Sequence, residues 1–558
     1  TTPMMCARIL KREPQEQKHG RWYLASERVF AWLILHYERS LNWALRHSRI
    51  TLLSLIAVIG FNFYLYGVVP KGFFPQQDNG RIMGMIQADQ ATSFQAMRPK
   101  LAAYIDIIRA DPAVDTVTGF TGGSQRNTGR MFIALKPLNE RNASADDVIN
   151  RLRGKTARVP GATLYLQASQ DIRVGGRSSN SQYQYTLQGD ELDALRAWSP
   201  RILEALRTVP EIVDANTSQQ DKGLQISLDI DRDTASRLGV TQAAIDATLY
   251  DAFGQRQASV IYAQRNQYHV IMEVAPQYWQ NPDTLKDIYV KSSNDTMVPL
   301  SAFSRYGPTN TPLGVNHQGQ FAATTISFNL APGVVLSDAV QAINDKVATL
   351  GLPNTVHGSF QGTAKVFQAS FASLPFLIAA SLLTIYIVLG MLYESYVHPI
   401  TILSTLPSAG VGAILALLLF NLDLSIMGFI GIILLIGIVK KNAIMMIDFA
   451  LAAQRNEHRT PVDAIRQACL LRFRPIMMTT AAALLGALPL ALGTGTGSEL
   501  RRPLGITIVG GLIVSQMLTL YTTPVVYLYM DRLRAWSVRN WARLRRQPPP
   551  AAAPDSAA

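Results

Sequence analysis

The sequence predicts a membrane protein in which a bundle of six transmembrane α-helices carries a large α+β domain outside the membrane. The first observation is composition: of 558 residues, 48% are hydrophobic and 16% are charged. This balance is too apolar for an ordinary soluble protein and too polar for a chain that lies wholly within a membrane. The second is distribution, because the apolar residues collect in six long runs, one of which stands far from the other five.

The six runs set the predicted boundaries of the chain. A bilayer core about 30 Å thick requires roughly 20 mainly apolar residues in a helix. The predicted spans are Thr51–Val69, Leu374–Tyr393, Ile400–Phe420, Leu424–Ala450, Ile476–Leu492 and Leu504–Met530. The predicted domains are an N-terminal segment (1–50), one membrane helix (51–69), the outer domain (70–372), five membrane helices (373–530) and a cytoplasmic tail (531–558).

Basic residues flank the first and last runs and give the predicted orientation. Lysines and arginines are frequent between Arg8 and Arg49, and six arginines lie between Arg532 and Arg546. This bias places both ends in the cytoplasm, so the formal net charge of +13 reflects topology and not nucleic-acid binding. Residues 21–47 are amphipathic and fit either a helix on the inner membrane face or a connector packed on its own chain. Thr1–Met5 has the pattern of the end of a preceding membrane helix, so the sequence is expected to begin partway through a longer protein.

The outer domain repeats a strand–helix–strand pattern several times. Helices are predicted over Ser93–Ala110, Ser144–Val159 and Thr234–Phe253, with Ser144 as an N-cap. Short connections between such units indicate several ferredoxin-like βαβ subdomains, which can move against one another, instead of one large core.

Charged residues inside the fourth apolar run are the main functional signal. Lys440, Lys441 and Asp448 each cost about 2.5–3.5 kcal/mol at bilayer depth on insertion scales. Lys441 and Asp448 share a helix face but stand roughly 10 Å apart along the axis, too far for a direct ion pair. Lys441 is therefore predicted to pair with carboxylates on another helix, although both lysines could instead extend to the inner surface. No carboxylate lies in the middle of the other five runs, so the partner acids are expected outside this sequence.

Other patterns predict packing and exclude several kinds of site. Glycines in three runs, including Gly412, Gly437 and Gly510, predict close helix contacts. Gly493–Gly497 lacks the lysine and hydroxyl residue of a phosphate-binding loop, and no metal-ligand spacing or nucleophile motif occurs. Neither an enzyme nor a metal site is predicted. The stretch Gly119–Gly129 fits either a mobile loop beside a ligand surface or a hairpin with two core phenylalanines, Phe120 and Phe132.

Four motifs resemble those of the resistance-nodulation-division exporters. They are PKGFFPQQDNG from Pro70, YESYVHPITILSTLP from Tyr393, LLIGIVKKNAIMMIDFA from Leu434 and LLRFRPIMMTTAAALLGALPL from Leu470. Within that family, KKNAIMM, CLLRFRP, SELRRPLGIT and AFGQRQ are most similar to the Mdt-type multidrug subunits.

The resemblance implies that the chain is the C-terminal half of such a transporter, with a docking part at about 220–303. It further implies a proton relay through Lys441, Arg472 and Thr479, and substrate contacts at Phe120 and Phe132. Gly119–Gly129 corresponds to the switch loop of the family, whereas pocket phenylalanines are replaced near Thr118, which implies a narrower drug range.

The implied function is proton-driven efflux of drugs or other amphiphilic small molecules across the Gram-negative envelope, by a secondary active transporter of the inner membrane. No cofactor beyond the proton-motive force is implied. The implied partners are a sister subunit in a homo- or heterotrimer, a periplasmic adaptor and an outer-membrane channel. The alternatives are a protein-export accessory subunit, a narrow-substrate or metal exporter, and a membrane-anchored scaffold or receptor.

Overall fold

The computed structural model describes residues 2–9, 21–122, 125–172, 174–279, 281–493 and 495–544. The predicted tail beyond Gln547 lies outside these residues, as do parts of the N-terminal segment and of both glycine-rich stretches. The helices are α1 (Thr2–Ile9), α2 (Arg21–Arg46), α3 (Ser48–Val68), α4 (Phe94–Arg109), α5 (Leu138–Arg141), α6 (Ala145–Thr156), α7 (Leu192–Arg207), α8 (Arg232–Arg237), α9 (Gln242–Phe253), α10 (Pro276–Trp279), α11 (Leu336–Thr349), α12 (Thr363–Tyr393), α13 (His398–Leu403), α14 (Leu406–Leu419), α15 (Ile426–Glu457), α16 (Pro461–Leu492) and α17 (Ser498–Leu544).

Six helical segments of the described chain are long and apolar enough to cross a membrane, and they correspond to the six predicted runs. They are α3, α12, the combined α13–α14, α15, α16 and α17. Several are longer than predicted; α16, for example, begins at Pro461, fifteen residues before the predicted Ile476. The reason is that helical hydrogen bonds continue beyond the apolar run, which marks only the part that contacts lipid.

The strands between α3 and α12 form two main antiparallel sheets. The strands are β1 (Arg81–Ala88), β2 (Val114–Thr121), β3 (Thr128–Leu135), β4 (Ala162–Ala168), β5 (Tyr183–Gly189), β6 (Ile212–Thr217), β7 (Gly223–Ile230), β8 (Arg256–Tyr262), β9 (Gln267–Met272), β10 (Tyr289–Lys291), β11 (Met297–Pro299), β12 (Ser304–Thr311), β13 (His317–Gln318), β14 (Phe321–Leu330) and β15 (Val356–Gln361).

Both sheets have the same strand order. The first runs β2-β3-β1-β4 and packs on α4 and α6. The second runs β6-β14-β5-β15, with β13 beside β14, and packs on α7 and α11. In each, two strand–helix–strand units interleave, and in the second sheet the residues from β7 to β12 are inserted between β6 and β14. The outer part thus contains two separate α/β cores and an inserted region with its own small core.

The predicted helix Thr234–Phe253 is wrong, because α8 and α9 replace it. Gly239 has φ of +71°, a left-handed conformation that ends α8. The Thr241 hydroxyl then accepts a hydrogen bond from the Ala244 amide and begins α9. A glycine followed two residues later by a threonine is a stop-and-start signal that the apolar periodicity concealed.

The motif after α3 joins the membrane bundle to the outer domain. A Cβ on Gly72 would overlap the Asp423 carboxylate, in the turn between α14 and α15, so a larger residue here would displace the Asp423 side chain. Further along the same motif, the Asp78 carboxylate accepts hydrogen bonds from Arg141 (2.6 Å) and from the Ala145 amide (2.8 Å). The motif therefore serves as a structural junction between the bundle and the first sheet.

Helix α2 packs against the first half of α16 and the middle of α17. The Tyr37 hydroxyl donates to the Leu520 carbonyl at 2.9 Å, and Glu38 pairs with Arg466 at 2.8 Å. Its other side exposes three tryptophans, Trp22, Trp32 and Trp43. This packing agrees with the alternative of a connector packed on its own chain, and the position of the exposed aromatic face on the inner membrane surface stays a prediction.

Candidate functional site

Lys441 lies on the open face of α15. The neighbouring residues Val439, Asn442 and Ala443 are buried toward the rest of the bundle, whereas Lys441 and Asp448 are both exposed. Within the described part of the chain, Lys441 forms no ion pair. Lys441 is therefore a cation in a membrane-spanning helix that can pair with an acidic group outside these residues.

Arg472 and Thr479 lie on α16. The Arg472 guanidinium stands over the Phe449 ring at 5.0 Å, one residue beyond Asp448 on α15. The Thr479 hydroxyl donates to the Ile476 carbonyl of its own helix at 3.1 Å, so this hydrogen bond stays within α16. The structure therefore brings Arg472 beside the Lys441–Asp448 face and leaves Thr479 with a local bond.

Three buried polar side chains link α15, α16 and α17, and the sequence analysis did not single out this set. The Asn442 amide donates to Thr480 Oγ1 (3.2 Å) and to Gln516 Oε1 (3.0 Å). The Thr480 hydroxyl donates to the same Gln516 oxygen at 2.8 Å. Each member of this polar triad is at most 8% exposed. The signal in the sequence that could have predicted this set is Gln516, which lies in the middle of an apolar run. An unpaired amide in a membrane is costly, so such a residue is expected to have a polar partner on another helix.

A cleft of about 520 Å³ lies between the two sheets of the outer domain. Its lining is mainly amide and hydroxyl side chains, together with Arg130 and Arg177. Neither arginine forms an ion pair, and no carboxylate occurs among the described residues that line the cleft. The cleft is therefore positively charged and rich in hydrogen-bonding groups.

Phe120 lines this cleft, and Phe132 lies next to it. Phe120 is 49% exposed and Phe132 is 46% exposed, so neither is a core residue and the core-phenylalanine alternative is wrong. Their ring centroids are 6.0 Å apart, on neighbouring strands β2 and β3. Phe132 is not among the cleft-lining residues. The pair forms an exposed aromatic edge at an otherwise polar cleft.

Amide side chains bridge the floor of the cleft. Asn180 donates to Gln87 Oε1 at 2.6 Å, which connects the loop before β5 with β1. Asn127 donates to Gln220 at 2.9 Å, and Gln220 donates to Gln125 at 3.1 Å. Together with the ion pair between Arg153 and Asp214 at 2.7 Å, these bonds join the two α/β units through polar contacts, and neutral amide bonds of this kind can be exchanged for water at modest cost.

Comparison with known proteins identifies the family. The sequence model of the AcrB/AcrD/AcrF family matches residues 1–531. The chain belongs to this family. The match confirms the family predicted from the four motifs, and it covers both sheets, all six membrane helices and the Lys441 face.

The curated relatives of this AcrB/AcrD/AcrF-family chain include the multidrug resistance protein MdtC of several bacteria. Identity is 59% over 534 residues with MdtC of Enterobacter sp. (strain 638) and 58% over 535 residues with that of Yersinia enterocolitica. Each alignment covers 96% of this chain and 52% of the relative. The similarity agrees with the predicted branch, and the chain spans about half the length of the curated relatives it matches.

Solved structures show the same fold. A heavy metal efflux pump superposes with a TM-score of 0.81 over 90% of this chain and 53% of that chain, at 22% identity. A second crystal form of a heavy metal efflux pump gives a TM-score of 0.79. At this identity the likeness concerns the fold alone. For this AcrB/AcrD/AcrF-family chain, the relay and substrate roles of Lys441, Arg472, Thr479, Phe120 and Phe132 stay predictions.

Proposed function

We propose that this chain forms part of an inner-membrane transporter that expels amphiphilic small molecules in exchange for protons. The observation that carries the proposal is Lys441, a lysine in a membrane-spanning helix with no ion-pair partner among the described residues. A lysine with only a structural role would have an ion-pair partner nearby in the same chain. A lysine that takes part in a proton relay needs a partner whose charge changes when it binds a proton. The two α/β units above the membrane supply a cleft that can alternate between open and closed.

In the proposed cycle, Lys441 pairs with carboxylates on a helix outside this sequence. Protonation of those carboxylates from the outer side releases Lys441, and Arg472 and Thr479 take part in the rearranged contacts. The polar triad ties α15, α16 and α17 together, so the three helices move as one body. Their motion reaches the outer domain through the Gly72–Asp423 junction, and no cofactor other than the proton gradient is required.

The charge of the cleft narrows the proposed substrate class. Arg130 and Arg177 are exposed cations without carboxylate neighbours in ion-pair distance, and the surrounding amides and hydroxyls offer further donors. Phe120 adds one aromatic surface. We therefore propose substrates that combine an apolar body with an anionic or acceptor-rich group.

The inserted region supports a multisubunit assembly. Strands β8 and β9 form a hairpin with large apolar side chains that are mostly exposed, including Ile261 (57%) and Tyr262 (75%). Such a hairpin is stable when its apolar side chains are covered by another protein surface. We propose that a sister subunit of the trimer covers it, and that an adaptor and an outer-membrane channel complete the export path.

The test compares Lys441→Met with Lys440→Met in the full-length protein that carries this sequence. Dye efflux is measured in cells that lack other pumps, with membrane insertion checked by immunoblotting. We expect Lys441→Met to abolish efflux and Lys440→Met to retain it, because only Lys441 lies on the open relay face. Full efflux by Lys441→Met would assign the lysine to structure and remove the main support for proton coupling.

The substrate class is tested with Arg130→Gln/Arg177→Gln, and Arg126→Gln serves as a control outside the cleft. We expect the double variant to reduce efflux of an anionic dye by about tenfold, the order expected from losing one to two charge-assisted hydrogen bonds. Efflux of a cationic dye should not fall. An equal loss for both dyes would indicate a general defect instead of charge recognition.

A further inference from the structure

Four polar side chains are buried where the C-terminal end of α12 and the start of α13 meet the middle part of α17. They are Tyr393, His398, Thr523 and Tyr527, with exposures of 6%, 1%, 0% and 1%. Both ring nitrogens of His398 and the three hydroxyl oxygens find no hydrogen-bond partner among the described residues. Five unpaired polar atoms in one buried region require an explanation, since such groups are nearly always satisfied in folded proteins.

The His398 ring lies beside one tyrosine ring of α12 and one of α17. The His398 ring lies 6.1 Å from the Tyr527 ring, at an interplanar angle of 19°, and 6.4 Å from the Tyr393 ring, at 69°. Thr523 precedes Tyr527 by four residues on α17, so both project from the same helix face. His398 therefore has Tyr393 and Tyr527 as ring neighbours, and Thr523 lies one helical turn from Tyr527.

The burial comes from this chain alone. Because these atoms are already inaccessible within the single chain, a further subunit could not reach them without rearranging the helices. Buried water commonly satisfies polar groups of this kind in folded proteins. The unpaired atoms thus favour a hydrated interior at this level of the bundle.

Charged groups lie on both sides of the cluster. Asp448 of α15 interacts electrostatically with Tyr393, and it stands two turns, roughly 10 Å, along α15 from Lys441. Arg455 of α15 and Asp531 and Arg534 of α17 interact with both His398 and Tyr527. The cluster therefore lies between the level of Lys441 and the charged inner end of the bundle.

We propose that Tyr393, His398, Thr523 and Tyr527 enclose water molecules through which protons pass from the Lys441 level to the cytoplasm. In each passage the imidazole takes up one proton on one ring nitrogen and releases one from the other nitrogen to water beside Asp531. The ring is then neutral with its proton on the opposite nitrogen, and a half-turn of the ring restores the starting arrangement, so one proton moves and none is consumed. Histidine suits this role because it exchanges protons readily near neutral pH. The inference rests on the proposed proton-driven function.

The test uses the full-length transporter in proteoliposomes with an imposed pH gradient. His398→Phe keeps the ring and removes both nitrogens, whereas His398→Gln keeps hydrogen-bonding ends but carries no proton at neutral pH. We expect both variants to fold and to lose proton-coupled transport by about a hundredfold or more, the lower end of what a positioned proton-transfer group contributes. The pH dependence of the remaining transport should flatten.

Several outcomes would overturn the inference. Transport by His398→Gln equal to wild type would make the residue a structural water ligand and not a relay. If His398→Phe fails to insert, the tyrosine variants replace it in the test, because Tyr527→Phe removes only one hydroxyl. A normal transport rate and a normal pH profile in Tyr393→Phe/Tyr527→Phe would likewise contradict the inference. Lys441→Met separates the two proposals: if it is inactive while His398→Phe is normal, only this inference fails, and if it is active, the proposed function fails.

Discussion

At the scale of single residues, the outer domain holds a buried carboxylate in a well-defined site. The Asp111 side chain is inaccessible and accepts two hydrogen bonds from Arg151, at 2.6 and 2.7 Å, and one from the Ala113 amide. Burial by itself raises the pKa of Asp111, but the hydrogen bonds from Arg151 and Ala113 and the charges of Arg151 and Lys155 outweigh it and lower the pKa. The ionised carboxylate is therefore the stable form in the folded protein.

Because the folded pKa is depressed, Asp111 contributes stability above its ordinary pKa of 3.8, and that contribution is lost as pH falls through the lower folded value. We expect Asp111→Asn to lower the free energy of unfolding by about 1–3 kcal/mol at neutral pH. Thermal unfolding of the purified protein measures this, with the exposed Asp193→Asn as the control. An unchanged melting temperature for Asp111→Asn at neutral pH would contradict the expectation.

At the scale of elements, close helix approach and polar contacts both determine how the bundle packs. A Cβ on Gly412 would lie 2.6 Å from the Gly510 carbonyl, so α14 and α17 touch through their backbones, as the small residues predict. At Gly437, by contrast, no neighbouring atom of the described residues lies within 4 Å of the place a Cβ would take, so this glycine makes no such contact within the chain. The polar triad then fixes the rotation of α15, α16 and α17, which decides that Lys441 faces outward.

Gln516→Leu tests the triad. It removes the acceptor of both Asn442 and Thr480, leaves these groups unpaired, and should lower stability by about 1–3 kcal/mol. The apolar triple variant Asn442→Leu/Thr480→Val/Gln516→Leu should regain stability, because no polar group is then left unpaired. Melting temperature in detergent and dye efflux are measured for both variants, with Met517→Leu as the neighbouring control. Equal melting of Gln516→Leu and wild type would show that the triad does not hold the helices.

At the scale of the whole molecule, two α/β units meet across a polar cleft above an apolar bundle. The bridge between Gln87 and Asn180 joins the two units directly. Polar bridges of this kind allow the units to separate, whereas an apolar core between them would resist it.

Cross-linking tests whether separation is needed. Gln87→Cys/Asn180→Cys, made with Cys6→Ser, is treated with a short thiol cross-linker; Cys469 is buried in the membrane bundle and so protected. We expect dye efflux to stop after treatment and to return if a reducible linker is cleaved. Each single-cysteine variant should be unaffected, and continued efflux by the cross-linked pair would exclude cleft opening as a required step.

The sequence by itself determined the six membrane spans, the repeated strand–helix–strand pattern of the outer domain, and the family. These features follow from local patterns in the sequence. An apolar run long enough to cross a bilayer, or an alternation of apolar and polar residues over the length of a strand, can be recognised without knowing which elements pack against it. The motifs also singled out Lys441, whose charge is costly wherever its helix packs.

Only the tertiary structure decided which side chains meet. Adjacent threonines are indistinguishable in sequence, yet the packing of α16 turns Thr480 into the polar triad and leaves Thr479 bonded to its own helix. The amide bridges of the cleft and the burial of His398 depend likewise on residues more than thirty positions apart. Periodicity gives the face of a helix or strand, but the partner on that face is set by long-range packing, which no local pattern contains.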